Sequence, residues 1–200
     1  MGLTLFDPRT GAPAEFKPAV QPYVGLELGF DGARERSLHL SLSRALVFLG
    51  LTPRPGSEIR VGGRDPGAAT VWLAVGAMQG AIPDAAALAG RGFTPDDLGF
   101  LCLKTHYRRP LPFTWEALAA ARGELRELRA CAAAHADISL EPSARARAGY
   151  LHRFRDALSK DLDFPEAVNC VWDAVRPGAL SPGSRAALLR ETLPGLGIAV

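Results

Sequence analysis

Residues 23–50 read YVGLELGFDGARERSLHLSLSRALVFLG, and this stretch carries the clearest evidence for the fold class. Its first six residues alternate with period two, which predicts a strand. Gly29 to Gly32 predict a turn. Residues 33–49 carry Leu and Ala at helical spacing and precede Gly50, a favoured residue at helix C-termini. A strand, a glycine-containing turn and a helix open the nucleotide-binding α/β folds. The sequence therefore predicts an α/β fold class that begins with a small Rossmann-like unit.

On either side of that stretch, short strands are predicted at 3–6 and 58–61, with a Pro-rich connection up to Pro22. Residues 70–75 fit either a strand or the start of a buried helix. Later segments are predicted to be helical because N-cap residues, first-turn prolines and apolar stripes recur in them. The predicted helices cover 83–89, 94–109, 114–136, 143–160, 163–176 and 184–193. These patterns predict two parts, a Rossmann-like unit with a reduced sheet at 1–90 and a C-terminal helical bundle at 91–200.

The composition indicates a folded chain. Of its 200 residues, 48% are hydrophobic, which is enough for a core. A formal net charge of +2 gives only weak support for a polyanionic partner. The three cysteines are widely spaced and do not indicate a disulfide framework. Because there is no charged leader and no apolar run of about 18 residues, we expect a cytoplasmic protein without a membrane partner.

Two motifs carry a resemblance to a known family. Residues 92–98 read GFTPDDL and residues 105–114 read THYRRPLPFT. Together they resemble the segment of cysteinyl-tRNA synthetases that joins the nucleotide-binding domain to a helical domain touching tRNA. Residues 33–50 and 154–167 (FRDALSKDLDFPEA) resemble two further segments of that class I family, and residues 3–18 resemble its first strand. The resemblance implies a Rossmann-like domain, a helical domain and contact with tRNA.

The catalytic signatures of that family are missing. Its HIGH histidines contact ATP phosphates, and the ungapped alignment places them on a degenerate nucleotide-site loop of Gly29, Phe30, Asp31 and Gly32. The KMSKS lysine loop falls near 74–78, where no lysine remains, and the first zinc-ligand cysteine falls near Val20. Such charge-neutralising groups each contribute about 10²–10³ to the rate. We therefore predict a truncated relative with no catalytic residue, no ATP or zinc cofactor and no aminoacylation activity.

The densest basic and aromatic cluster lies in the second motif, and we interpret it as the nucleic-acid-binding site. It consists of Lys104, His106, Tyr107, Arg108 and Arg109. Lysine and arginine bind phosphates, and an aromatic residue among them fits an RNA contact. The alternative is structural. In it, Tyr107 packs between the two parts, and the arginines pair with acids such as Asp96 and Glu116.

Two weaker patterns favour a structural role over a binding site. Cys131 and His135 share a helix face, but no other ligand stands at a recognisable spacing, so no metal site is predicted. The glycine-rich residues 62–67 lack the spacing of a phosphate-binding loop, and we expect a surface loop there.

Three functions stay open at this stage. The chain could bind tRNA, or a tRNA-handling partner, through its helical half while lacking aminoacylation activity, as a pseudoenzyme. It could be a diverged ligase that acts on cysteine or another small amino compound. It could also be an interaction protein, either with a protein partner or as a homodimer through the uncovered edge of its shortened sheet.

Overall fold

The computed structural model describes residues 2–30, 32–67, 70–133 and 144–200. Eight strands lie among these residues, and they are β1 (Leu3–Asp7), β2 (Ala12–Phe16), β3 (Tyr23–Leu28), β4 (Thr52–Pro55), β5 (Ile59–Val61), β6 (Val71–Leu73), β7 (Met78–Gln79) and β8 (Leu111–Pro112). The described helices are α1 (Ala33–Phe48), α2 (Ala85–Gly90), α3 (Pro95–Leu103), α4 (Trp115–Ala133), α5 (Ala144–Ser159), α6 (Phe164–Val175) and α7 (Pro182–Gly195). The predicted α/β class is confirmed.

The main sheet has four parallel strands in the order β4-β3-β5-β6. The chain leaves β3 through α1 to β4 on one side and then returns to β5 on the other side of β3. Strand order therefore reverses between β3 and β5, which is where open α/β sheets bind ligands. Residues 70–75, which fitted a strand or a helix, contain the edge strand β6.

Three pairings differ from the sequence-based expectation. The Pro-rich stretch before Pro22 contains β2, which forms an antiparallel hairpin with β1. Strand β4 follows α1 directly, and the two-residue strands β7 and β8 pair in parallel. Prolines within β2, β4 and β8 mask their strand character, because a proline cannot donate to a ladder and tolerates only edge positions. A two-residue pair also has no periodicity to detect.

Capping residues fix the helix starts in the second half. The Thr94 hydroxyl accepts a hydrogen bond from the Asp97 amide, while the Asp97 carboxylate accepts one from the Thr94 amide at 2.7 Å. This capping box accounts for the predicted start of α3. Asp163 caps α6 through the Glu166 amide, as predicted. Helix α7 begins at Pro182, earlier than the predicted 184, because Ser181 is its N-cap.

One hydrophobic cluster runs from the sheet into the helices. Helix α1 contacts β3, β4 and β5 and also packs against α3 and α7. Leu42, Leu46 and Phe154 are among its fully buried members. The core thus continues across the predicted boundary at residue 90, and α1 packs against elements on both sides of it.

The outer edge of β4 is protected by its sequence. The amides of Thr52 and Gly56 donate to Pro22 and Leu26 beside β3, so alternate residues face that strand. The backbone of Pro53 and Pro55 faces the open edge instead, and proline offers no N–H there. This arrangement disfavours a homodimer that pairs through this edge. No helix in the described ranges is long and apolar enough to cross a membrane.

Candidate functional site

The residues predicted to bind nucleic acid line one cleft of about 650 Å³. One wall is the loop between α3 and β8, and the other is the turn between α5 and α6. We call this the cationic cleft, and its lining residues are Lys104, Thr105, His106, Arg108, Arg109, Lys160, Asp161, Asp163 and Pro165. The structure thus brings four of the five predicted residues to a common opening, while Tyr107 lies behind it.

Asp161 connects the two walls and the N-terminal strand. Its Oδ1 accepts hydrogen bonds from the Tyr107 hydroxyl at 2.6 Å and the Phe6 amide at 2.8 Å. Its Oδ2 lies 2.8 Å from Arg108 Nη2 and 3.5 Å from His106 Nε2. Asp161 has a φ of 55°, a left-handed conformation that Asp tolerates better than most residues. Its own amide donates to the Thr4 carbonyl at 2.7 Å.

Tyr107 and His106 are partly structural. Tyr107 is only 3% exposed, and burial, with the Asp161 hydrogen bond, raises the pKa of its phenol. The His106 ring stacks on it with centroids 4.7 Å apart. Burial lowers the pKa of His106, opposed by the nearby Asp161 carboxylate. Tyr107 packs between the two parts of the chain, as the structural alternative anticipated.

The three remaining basic residues differ in what they contact. Lys104 pairs with Glu124 on α4, and Arg108 pairs with Asp161 while its guanidinium lies 4.0 Å from the Phe6 ring centroid. Arg109 is exposed, and its guanidinium makes no hydrogen bond or ion pair with the residues that the structure describes.

The acids that pair with these arginines are not the expected ones. Asp161 takes the role for Arg108, whereas Asp96 pairs with Arg129. The sequence offered little signal for Asp161, because it stands 54 residues from Tyr107 and immediately before the helix-capping segment of α6.

A buried arginine supports the loop from below. Arg34, 1% exposed, donates from Nη1 to the Gly76 carbonyl at 2.5 Å and the Arg109 carbonyl at 2.6 Å, and from Nη2 to the His106 carbonyl at 3.2 Å. No carboxylate pairs with it among the described residues, and burial lowers its pKa. The sequence analysis did not select Arg34. A signal existed, because Arg34 precedes Leu38 and Leu42 at spacing four and thus continues the buried stripe of α1.

The degenerate nucleotide-site loop lies where the strand order reverses, but backbone contacts close the space between this loop and the loop after β5. The Gly29 amide donates to the Val61 carbonyl at 2.9 Å. A Cβ on Gly63 would lie 2.5 Å from the Gly29 carbonyl oxygen, so the two loops touch through their backbones. Asp31 lies outside the described residues, whereas Phe30 is exposed.

A carboxylate occupies the N-terminus of α1, the position that binds phosphate in related folds. Glu35 Oε2 would be 2.2 Å from a Cβ placed on Gly32, and the same side chain lies against Gly62. Its negative charge opposes an incoming phosphate at a helix end that would otherwise attract one.

The stretch that corresponds to the lysine loop is part of the fold. The Gly76 amide donates to the Tyr107 carbonyl at 2.8 Å, and a Cβ on Gly76 would clash with the Arg109 backbone. Within the described ranges, no group of three or more His, Cys, Asp or Glu could hold a metal ion. Of the pair considered for a metal half-site, Cys131 is partly buried and His135 lies outside the described residues.

Comparisons with known proteins find similarity to the same family that the sequence motifs resemble. No protein-family model matches the chain. Cysteine–tRNA ligase 1 of Burkholderia lata is 39% identical over 89 residues, which are 44% of this chain and 18% of that protein. The cysteine–tRNA ligase of Methylocella silvestris is 40% identical over 110 residues, 54% of this chain and 22% of that protein. That of Treponema pallidum is 32% identical over 132 residues, 56% of this chain and 25% of that protein. The chain spans about a fifth to a quarter of the length of these curated relatives. Over about half of its length, this chain is a relative of the cysteine–tRNA ligases.

Proposed function

We propose that this protein binds tRNA through the cationic cleft and does not aminoacylate it. The observation that carries the proposal is Arg109, a guanidinium exposed at the cleft with no partner among the described residues. An arginine in that state can form a bidentate contact with a phosphate without first breaking an internal ion pair.

The charges around Arg109 support this assignment. Lys160 lies across the cleft with 70% of its side chain exposed, and among the described residues its ammonium pairs with Asp156 of α5. Exposed pairs of this kind contribute little, so Lys160 can turn towards an anion at small cost. Asp161 is already bound by three neighbouring groups, which reduces its repulsion of a phosphate. Contacts of this kind bind the nucleic-acid backbone without reading its sequence.

The closed position at which the strand order reverses supports the proposed absence of aminoacylation. Adenylation needs groups that neutralise the charge developing on ATP phosphates. Here the Glu35 carboxylate occupies the α1 N-terminus, and Gly29 and Gly63 are in backbone contact. A diverged ligase that activates cysteine or another small amino compound would need ATP at the same position, so the same features disfavour that function.

Binding is tested with purified protein and labelled cysteine tRNA, a second tRNA and a single-stranded homopolymer over a salt series. We expect affinity to be highest at low salt, with a linear log–log slope that reports the number of phosphate contacts. Arg109→Gln should reduce the magnitude of that slope by about 0.7 to 0.9 and leave folding intact.

Arg126→Gln is the matched control, because Arg126 is an exposed arginine on α4 outside the cleft. Absence of binding at low salt, or equal slopes for the Arg109 and Arg126 variants, would contradict the proposed site. A cysteine-dependent exchange of pyrophosphate into ATP above background would contradict the absence of aminoacylation.

A further inference from the structure

A second opening differs from the cationic cleft in that its walls are mostly apolar. This groove of about 560 Å³ runs between α1, α2, α3 and the C-terminal residues 196–198. Leu88, Phe93 and Leu98 line one wall, and Leu40 of α1 lines the other. A groove of this size can accept several apolar side chains.

Large apolar side chains also stand exposed at the edges of this groove. Leu40 is 49% exposed and lines it, and Val47 lies two helical turns further along α1 with 55% exposure. Ile82, 48% exposed, directly precedes Pro83 of the other wall. Single exposed apolar residues are ordinary, but an apolar groove with a half-exposed leucine on its wall indicates a surface that is covered by a partner.

The charges at the groove are arranged so that the surface complements itself. The α1 side carries Arg36, with Arg44 on the same exposed helix face. The opposite side carries Asp84 and Asp96, and Asp96 also pairs with Arg129 of α4. In a twofold dimer the basic side of each copy faces the acidic side of the other, so a surface that carries one charge on each side satisfies that symmetry.

We propose that this groove is the interface of a homodimer in which Leu40 of each copy inserts into the groove of the other. The basic face of α1 then lies beside the acidic wall of the partner copy. The apolar side chains at the groove form the buried centre that stable interfaces need, and the charged side chains form the rim. This interface is separate from the outer edge of β4, where Pro53 and Pro55 leave no amide to pair.

The test is the mass of the purified chain in solution, measured by light scattering and sedimentation from about 1 µM to about 500 µM, because dimerisation depends on concentration. We expect the mass of two copies at the upper end. Leu40→Glu should give one copy throughout, because it places two charges in the apolar centre. It should not unfold the chain, since Leu40 is half exposed. Hydrogen exchange should slow along α1 and α2 on dimerisation.

Val20→Glu provides the control, because Val20 is 55% exposed and does not line the groove. It should leave the dimer intact. A wild-type chain that is monomeric at every concentration overturns the proposal, as does a dimer that Leu40→Glu leaves unchanged. A monomer whose groove binds an apolar dye or a different protein also overturns it. Binding of tRNA by the Leu40→Glu variant is measured in parallel, so a failure of the dimer and a failure of the cleft are distinguishable.

Discussion

Replacing Asp161 should destabilise the protein strongly, because one carboxylate holds three segments together. In Asp161→Ala, the buried Tyr107 hydroxyl and the Phe6 amide lose their acceptor. Hydrogen bonds to a charged group contribute about 1.5 to 3 kcal/mol each. The ion pair with Arg108 opens onto the cleft and adds at most about 1 kcal/mol. Alanine at a φ of 55° costs a further 1 to 2 kcal/mol, approximately.

These contributions share one residue and are not additive, so we expect a loss of about 4 to 6 kcal/mol in the free energy of unfolding. Asp161→Asn should lose only about 1 to 2 kcal/mol. Asn keeps an acceptor oxygen for Tyr107 and Phe6 and tolerates the left-handed backbone, and it removes only the charge. The comparison therefore separates the hydrogen bonds and backbone from the ion pair.

The assay is urea unfolding followed by tryptophan fluorescence and circular dichroism, with Glu127→Ala on the exposed face of α4 as the control. The control should stay within about 0.5 kcal/mol of the parent chain. The reasoning is refuted if Asp161→Ala also stays within about 1 kcal/mol, or if the Ala and Asn variants are equally stable. Because Asn removes a negative charge from the cleft, that variant should also bind tRNA more tightly at low salt.

Two further perturbations follow from buried polar groups. The folded pKa of Tyr107 is raised by burial above the unfolded value, so stability is fully present below about pH 10 and falls by about 1.4 kcal/mol per pH unit above it. Tyr107→Phe should remove this part of the loss of stability at alkaline pH. The part that remains comes from the buried Cys102 thiol, whose pKa is raised to about 11. Unfolding curves between about pH 8 and about pH 11 measure the free energy of unfolding of both chains. Arg34→Met leaves the carbonyls of Gly76 and Arg109 without donors and should cost about 3 kcal/mol or more and weaken tRNA binding. Arg34→Lys keeps the charge but not the planar fork, so it should be intermediate in both measurements; an Arg34→Lys variant no better than Arg34→Met would contradict the role of that geometry.

The parts of the fold that the sequence predicted are those with local causes. Helix α1 follows from an apolar stripe that ends at Gly50, and α3 and α6 follow from caps at Thr94 and Asp163. Strand β3 follows from its own alternation. Strands β2 and β7 were missed because their partners, rather than their own residues, define them.

The site was predicted at the level of a segment, not of single residues. A run of basic residues indicated where an anion could bind. It could not separate Arg108 from Arg109, because the direction of each side chain depends on the loop that Arg34 holds from beneath. It also could not supply Asp161, since a contact between the α5–α6 turn and Tyr107 is set by the packing of the helices.

Three of the segments that resemble cysteinyl-tRNA synthetases meet at one place in this molecule. Arg34 lies in the first, residues 105–109 in the second and Asp161 in the third, and all three are joined by hydrogen bonds or ion pairs around the loop of the cationic cleft. In the degenerate nucleotide-site loop, the described residues Gly29, Phe30 and Gly32 make none of these contacts. A chain that keeps an anion-binding cleft must keep all three segments, because removing one leaves a buried cation, a phenol or a carboxylate without its partner. It has no such reason to keep the histidines and lysines that act on ATP. The three segments that keep the resemblance are therefore the ones that the proposed tRNA-binding cleft needs.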